Sequence, residues 1–303
     1  IKLQNVSSTG GLSGFGSAGS VAGLDKIDGF VMRYETNMRR NRKMVVEVIK
    51  IDLAKEIADI EVMTYSPSGI RIARGTSLSR NKLFLEGKIE VQDESSQILS
   101  FLVDAKRGMM VADFCAGAGG KSLAIGAIMK NTGRIYAYDI SEKRIINLGK
   151  RLKKSGLSNL FAQKIKNEKD AKLKKLHGKF DRVLADVPCS GTGTFRRNPD
   201  LKWKNSIQDL DELNLKQLAI LEEAKKLVKK EGRLIYSTCS LLKRENGLIV
   251  ESFLEKNKNF KIISANDILI KNQIPLSTGI FLELTPHKQK TDGFFAAVLE
   301  RTD

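Results

Sequence analysis

The chain has 303 residues and carries 52 Lys+Arg against 35 Asp+Glu, a formal net charge of +17. At roughly 150 residues per domain this length predicts one large and one smaller domain, with enough chain for a buried core. A composition 41% hydrophobic and 29% charged excludes a disordered chain, and no apolar run reaches the roughly 18 residues of a membrane span, so no membrane partner is expected.

Residues 1–29 contain SSTGGLSGFGSAGSVAG, a Gly/Ser density that predicts a flexible leader. The chain opens on Ile1 rather than Met, and an upstream piece is expected. Residues 30–90 read as a small basic subdomain: Arg39, Arg40, Arg42 and Lys43, then a strand-like run over 44–51, then turn residues Ser66, Pro67, Ser68 and Gly69. From residue 91 to 303 the pattern alternates strand, loop and helix. A short apolar run over 109–114 enters a Gly-rich turn at 115–120, and a helix follows over 121–129. A strand over 134–138 ends at Asp139, and another over 182–187 stops at Pro188. Residues 211–230 predict an amphipathic helix with Leu218, Leu221, Ala224 and Val228 on one face, lysines in the last turn and Gly232 beyond it. A strand over 233–238 ends at Cys239. Strands separated by helix-length segments imply an α/β fold: a Rossmann-like, mostly parallel sheet covered on both faces. Ligands of such sheets sit at the carboxyl ends of the strands, where the Gly turn, Asp139, Asp186, Cys189 and Cys239 all fall.

The turn DFCAGAGGKS admits three readings. A phosphate-binding P-loop needs a glycine where Cys115 stands, and a dinucleotide turn needs one where Ser122 stands. The third is the turn of an S-adenosylmethionine-dependent methyltransferase, where glycines allow close backbone approach and no pyrophosphate is needed. Asp139, ending the next strand, is placed to accept hydrogen bonds from two ribose hydroxyls. Glycines that merely permit tight strand-to-helix packing are the alternative.

The stronger signal is the pair Asp186-Val187-Pro188-Cys189-Ser190 and Ser237-Thr238-Cys239-Ser240. C5 of cytosine is a poor nucleophile. A thiolate adding to C6 turns the ring into an enamine that is reactive at C5, and a base must then remove the C5 proton so that the thiol can leave. A carboxylate three residues before a cysteine suits a site that holds a ring edge beneath a thiol, and a second thiol could help the adduct collapse. Buried structural cysteines are the alternative. With only three cysteines in the chain, Cys115 being the third, a disulfide framework is not expected, and a reducing cytoplasm is. Cys189 and Cys239 lack C-x-x-C spacing and the two histidines, His177 and His287, lie apart from them, so no metal is expected.

VQDESSQ, DFCAGAGGK, YAYDISEKR, FDRVLADVPCSGTGTFRRNPDLKW, RLIYSTCSLLKRENG and TDGFFAAVLER follow one another from Val91 to Arg301. In this content and order the chain resembles the RNA (cytosine-5) methyltransferases, and RRNPDLKW points to the bacterial small-subunit ribosomal RNA branch. The resemblance implies that Cys239 is the nucleophile adding to C6 and that Cys189 assists product release; DNA cytosine methyltransferases attack from the PCS-like position instead. It implies Asp186 facing the base edge and cofactor, and Lys121 aiding positioning or proton transfer. It further implies that Cys115, Ala116, Gly117, Ala118, Gly119, Gly120, Lys121, Asp139 and Asp186 hold S-adenosylmethionine. Family members often carry Pro where Ala118 stands, and a turn needing close approach tolerates Ala. An acidic residue usual near the adenine falls by spacing at Asn167, which can still accept and donate hydrogen bonds. The helical RNA-binding domain that often precedes these enzymes has no counterpart in the residues at hand.

Arg196, Arg197, Lys202 and Lys204 follow the PCS segment with Trp203 among them. They read as a phosphate grip with an aromatic surface for an unstacked base, or, for Trp203, as a core anchor. The lysines between 164 and 179 read as a solvated helix face. With the 39–43 cluster they predict a positive RNA-facing side, the 30–90 subdomain helping to position ribosomal RNA. The expected partner is small-subunit ribosomal RNA and the expected state a monomer. The same chemistry on transfer RNA, or a non-catalytic RNA-binding assembly factor, is the alternative.

Overall fold

The computed structural model describes residues 26–31, 60–73, 77–203 and 206–303. The first strands are β1 (Lys26–Val31), β2 (Glu61–Val62), β3 (Gly69–Ala73) and β4 (Ile89–Val91), which form an antiparallel sheet in the order β2-β3-β1-β4. The predicted turn at 66–69 joins β2 to β3, the Gly69 N–H donating to the Ser66 carbonyl at 3.1 Å. Ile70, Ile72, Leu78, Leu83 and Ile89 make its small core. The expected leader lies outside the described residues except for its end: Lys26, Ile27, Asp28 and Gly29 belong to β1, where backbone pairing with β3 orders them. The Arg39–Lys43 cluster and the 44–51 run lie outside the described residues.

Helix α1 (Glu94–Leu102) opens the large domain, its Asp93 N-cap accepting from the Ser95 N–H at 2.9 Å. Glu94 is buried and accepts from the Tyr65 and Ser66 N–H groups at 2.7 and 3.0 Å and from Arg71 at 3.0 Å. One carboxylate thereby fastens the small sheet to the large domain.

The large sheet contains β5 (Met110–Asp113), β6 (Arg134–Asp139), β7 (Leu160–Lys164), β8 (Phe180–Asp186), β9 (Val228–Thr238), β10 (Phe260–Ile263), β11 (Leu282–Leu284) and β12 (Phe294–Arg301). Its order is β10-β12-β9-β8-β5-β6-β7, with β11 on β12. Strands β7, β6, β5, β8 and β9 run parallel, and β12 lies antiparallel to both β9 and β10. Strand β12 shows how both faces are buried: Phe294, Ala296 and Val298 enter one core, Phe295, Ala297 and Leu299 the other. Helices α1, α2 (Gly120–Ile128) and α5 (Ala265–Lys271) pack on the first face, and α3 (Ile207–Ala224) and α4 (Gly247–Lys256) on the second.

The helix expected over 211–230 starts earlier and stops earlier. Ser206 caps it through a reciprocal capping box with Asp209, and after Ala224 one tight turn of residues 225–227 leads into β9. Val228 pairs with Phe180 instead of extending the helical face. The apolar period continues past Ala224, but pairing with β8 captures Val228. Residues 229–232 then bulge out, since Arg233 is the next partner, opposite Arg182.

Candidate active site

The chain passes β5, β6 and β7 in one direction and returns to β8 on the other side of β5, so the crevice between β5 and β8 is the switch point of the sheet. Asp113, Asp139, Asp186 and Cys239 lie at the carboxyl ends of β5, β6, β8 and β9.

On the β5–β6 side the site is made of backbone. The Phe114 N–H donates to the Leu184 carbonyl at 2.7 Å, and the Ala116 N–H to the Tyr138 carbonyl at 2.8 Å, so the turn is anchored on both neighbouring strands. Gly119 has φ +83°, and a Cβ there would stand 2.0 Å from Leu148 Cδ1; only glycine serves. Asp139 is spanned by backbone: Oδ2 accepts from the Gly117 N–H at 2.9 Å and Oδ1 from the Ser141 N–H at 2.7 Å. Asp113 is buried, with Oδ2 accepting from the Ser122 hydroxyl at 2.6 Å and Oδ1 lacking any partner among the described residues. Burial, with Asp186 adding repulsion and the Ser122 bond opposing, pushes its carboxyl up to about 7. Arg151, on the helix Glu142–Ser155, donates to the Ala118 carbonyl at 2.7 Å and to Glu90 of β4 at 3.2 Å, tying the turn to the small sheet.

On the β8–β9 side the site is made of side chains. Lys121 Nζ stands 2.7 Å from Asp186 Oδ2 and 5.0 Å from the centre of the Phe294 ring. Asp186 Oδ1 accepts from the Ser237 hydroxyl at 2.9 Å. Burial works against the Lys121 ammonium, but Asp186 and Asp113 outweigh it and hold its pKa above the ordinary value. Cys189 Sγ and Cys239 Sγ are 3.4 Å apart. The hydrogen bond from Cys189 outweighs burial and Asp186, and Lys121 assists it, so the Cys239 thiol sits below its ordinary pKa. The same hydrogen bond, together with burial, raises Cys189 well above. Of the two thiols, Cys239 is therefore the one whose ionisation the surroundings favour and Cys189 the one whose ionisation they oppose. Gly193 braces the arrangement, donating its N–H to the Cys239 carbonyl at 2.9 Å; a Cβ there would meet the Gly293 carbonyl oxygen at 2.3 Å.

S-adenosylmethionine fits this donor set. Asp113 Oδ1 is a buried acceptor without a partner among the described residues, suited to an ammonium. Asp139 keeps lone pairs beyond the two that the backbone occupies. A Cβ at Gly117 would meet nothing within 4 Å, so space lies open over the turn.

Residues 100–300 match the sequence model of a family described as 16S rRNA methyltransferase RsmB/F. The chain belongs to that family. It is 31% identical over 254 residues to the probable ribosomal RNA small subunit methyltransferase B of Bacillus subtilis (strain 168), covering 82% of this chain and 56% of the relative. Against ribosomal RNA small subunit methyltransferase B of Photorhabdus laumondii the identity is 34% over 251 residues, covering 82% of this chain and 55% of the relative. The chain thus spans a little over half the length of these curated relatives. A crystal structure of a methyltransferase homolog protein from Pyrococcus horikoshii superposes with a TM-score of 0.73 at 26% identity, covering 92% of this chain and 87% of that one. The fold is that of the S-adenosylmethionine-dependent methyltransferases.

The other residues singled out in the sequence fall in different surroundings. Asn167 is exposed in the loop after β7, its side-chain oxygen accepting from the Lys169 N–H at 3.0 Å. Three residues on, Asp170 is buried and receives the N–H groups of Lys166 and Lys172 at 2.8 and 3.0 Å. Cys115, expected among the residues around the cofactor, packs against the second core. Arg196 and Arg197 do not present a simple phosphate grip. Arg197 Nε lies 3.0 and 2.9 Å from the two Asp292 oxygens and its terminal nitrogen reaches Asp93 at 2.5 Å, while Arg196 reaches Asp292 at 3.4 Å. Trp203 is not a core anchor: it is 82% exposed, with Lys202 Nζ 5.1 Å from the ring centre. Lys204 lies outside the described residues. Sequence reasoning passed over Asp113 and Glu245. An acid ending the strand before a glycine turn was a signal for the first. The second lies in the quoted RENG segment, with nothing local to mark its burial.

Proposed function

We propose that this chain transfers a methyl group from S-adenosylmethionine to C5 of a cytosine in small-subunit ribosomal RNA through a covalent adduct at C6. The observation that carries this reading is the thiol pair 3.4 Å apart, Cys239 being the one held below its ordinary pKa, beside the Lys121–Asp186 ion pair. Family membership and the relatives' names support an RNA substrate from the small ribosomal subunit. The Gly turn with Asp113 and Asp139 would hold S-adenosylmethionine, which supplies an electrophilic methyl group when bound.

The chain's own residues then have distinct tasks. Cys239 as thiolate bonds to C6 and moves the ring's electron density to C5. Asp186, held between Lys121 and Ser237, faces the base edge, and the Lys121 ammonium offers a proton at the ring nitrogen as charge develops there. Once Cys239 is bonded to carbon, Cys189 loses the partner of its hydrogen bond. With its own proton given up to solvent, Cys189 is placed to take the C5 proton; the C5–H electron pair re-forms the C5–C6 double bond, and the C6–S bond breaks with its pair leaving on Cys239 as thiolate. A cytosine reaching these thiols must leave its stack, so a loop or an opened helix is the substrate form. Exposed Trp203 and Lys202 offer a stacking face and a charge for the neighbouring nucleotides. The +17 charge supports the same polyanionic partner, and the activity belongs in the cytoplasm with the ribosome.

Methyl transfer from labelled S-adenosylmethionine into small-subunit ribosomal RNA, followed by nucleoside digestion, tests the proposal. Label in 5-methylcytidine is expected. Label in another nucleoside, or in transfer RNA alone, contradicts the chemistry or the substrate respectively, and no label in any RNA favours the assembly-factor alternative.

A further inference from the structure

Resting on the proposed thiol chemistry, a further assignment concerns a residue that touches neither sulfur. Glu245 is fully buried on the short turn Lys243–Glu245 after β9, and no cation pairs with it among the described residues. Its Oε1 accepts from the Ser190 N–H at 2.8 Å and from Gln217 Nε2 at 3.0 Å. Its Oε2 accepts from the Ser190 and Ser240 hydroxyls, both at 2.5 Å. Ser190 follows Cys189 and Ser240 follows Cys239, so one carboxylate grips the residue next to each thiol. Gln217, buried on α3, also donates to the Pro188 carbonyl at 3.0 Å, which holds the other side of Cys189. The neighbouring Asn246 completes the β9 side: Oδ1 accepts from the Thr238 hydroxyl at 2.6 Å, and Nδ2 donates to the Ser240 carbonyl at 3.0 Å.

A buried carboxylate without a cation is costly unless hydrogen bonds saturate it, and four donors do so here. Two loops at the ends of different strands have no covalent reason to share a register. We propose that Glu245 is the positioning residue that sets the contact between Cys189 and Cys239. It acts through acceptor geometry and reach. A glutamine has the same length and can keep Oε1 on the Ser190 N–H and Gln217, while its amide nitrogen donates to two hydroxyls able to turn and accept. An aspartate keeps the charge but is one methylene too short to span both serines.

The test compares Glu245→Asp with Glu245→Gln in two readouts. The first is the pH profile of Cys239 alkylation by iodoacetamide, followed on the Cys239 peptide by mass spectrometry without RNA or cofactor. The second is kcat against KM for methyl transfer. Glu245→Asp is expected to move the Cys239 midpoint upward, because the thiol–thiol hydrogen bond opens, and to lower kcat on the order of tenfold or more with KM little changed. Glu245→Gln is expected to stay near the parent in both. Equal loss in the two variants, or an unmoved Cys239 profile in Glu245→Asp, overturns the assignment. A shifted profile in a protein that methylates no cytosine keeps the clamp and removes the proposed reaction, so the two failures are distinguishable.

Discussion

The two halves of the site are built from different materials. The half at β5 and β6 is backbone: main-chain N–H groups hold Asp139, and a positive-φ glycine starts the helix. The half at β8 and β9 is a set of side-chain contacts, with Lys121 on Asp186, Cys189 on Cys239, and two serines on Glu245. Backbone walls tolerate most side-chain changes and fail where a Cβ intrudes. A side-chain network fails wherever one member is removed and its partners are left buried and unpaired. Mutations in the two halves should therefore separate cofactor binding from chemistry.

The largest separation is expected at Cys239. Cys239→Ala should lower methyl transfer by on the order of 10³-fold or more while cofactor affinity, measured by calorimetry, stays within about twofold. Gly119→Ala attacks the opposite half. Its methyl group would meet Leu148 in a left-handed backbone, so the cofactor Kd should rise by about tenfold or more and stability should fall by about 1–3 kcal/mol. Cys239 alkylation in that variant should be unchanged. Trp203 sharpens the contrast outside both halves. As the chain's single tryptophan, its fluorescence should be quenched by RNA, and Trp203→Ala should weaken RNA binding by about 1–3 kcal/mol with cofactor Kd unaltered.

The smallest effect concerns Asp113. Its carboxyl is pushed up to about 7, so the folded protein binds a proton that the unfolded chain releases near pH 4. Its contribution to stability is fully present below about pH 4 and is lost as pH rises toward 7. Asp113→Asn should therefore raise the melting temperature of the cofactor-free protein by a few degrees at pH 8 and by less at pH 5. An equal shift at both pH values would contradict the burial argument.

Local patterns carried the strand ends. Apolar runs ending at the Gly turn, at Asp139, before Pro188 and at Cys239 can be read from neighbours in the chain, because strand period and turn chemistry are short-range. Contacts that decide the rest are long-range. Val228 continues a helical apolar face and is nevertheless drawn into β9 by Phe180, 48 positions earlier. Arg197 looks like a free cation until Asp93 and Asp292 are brought to it from distant parts of the chain. Trp203 has the same composition signal as a core residue and differs only in exposure. Glu245 and Ser190 are separated by 55 positions, and no periodicity joins them.

The central claim is that Cys239 attacks and Cys189 releases. It is tested most directly by incubating Cys189→Ala with S-adenosylmethionine and small-subunit ribosomal RNA and running a denaturing gel beside Cys239→Ala and the double variant. The account predicts a slow-migrating protein–RNA adduct in Cys189→Ala that is absent from both lanes lacking Cys239. An adduct that persists in Cys239→Ala and disappears only when Cys189 is also removed would contradict it.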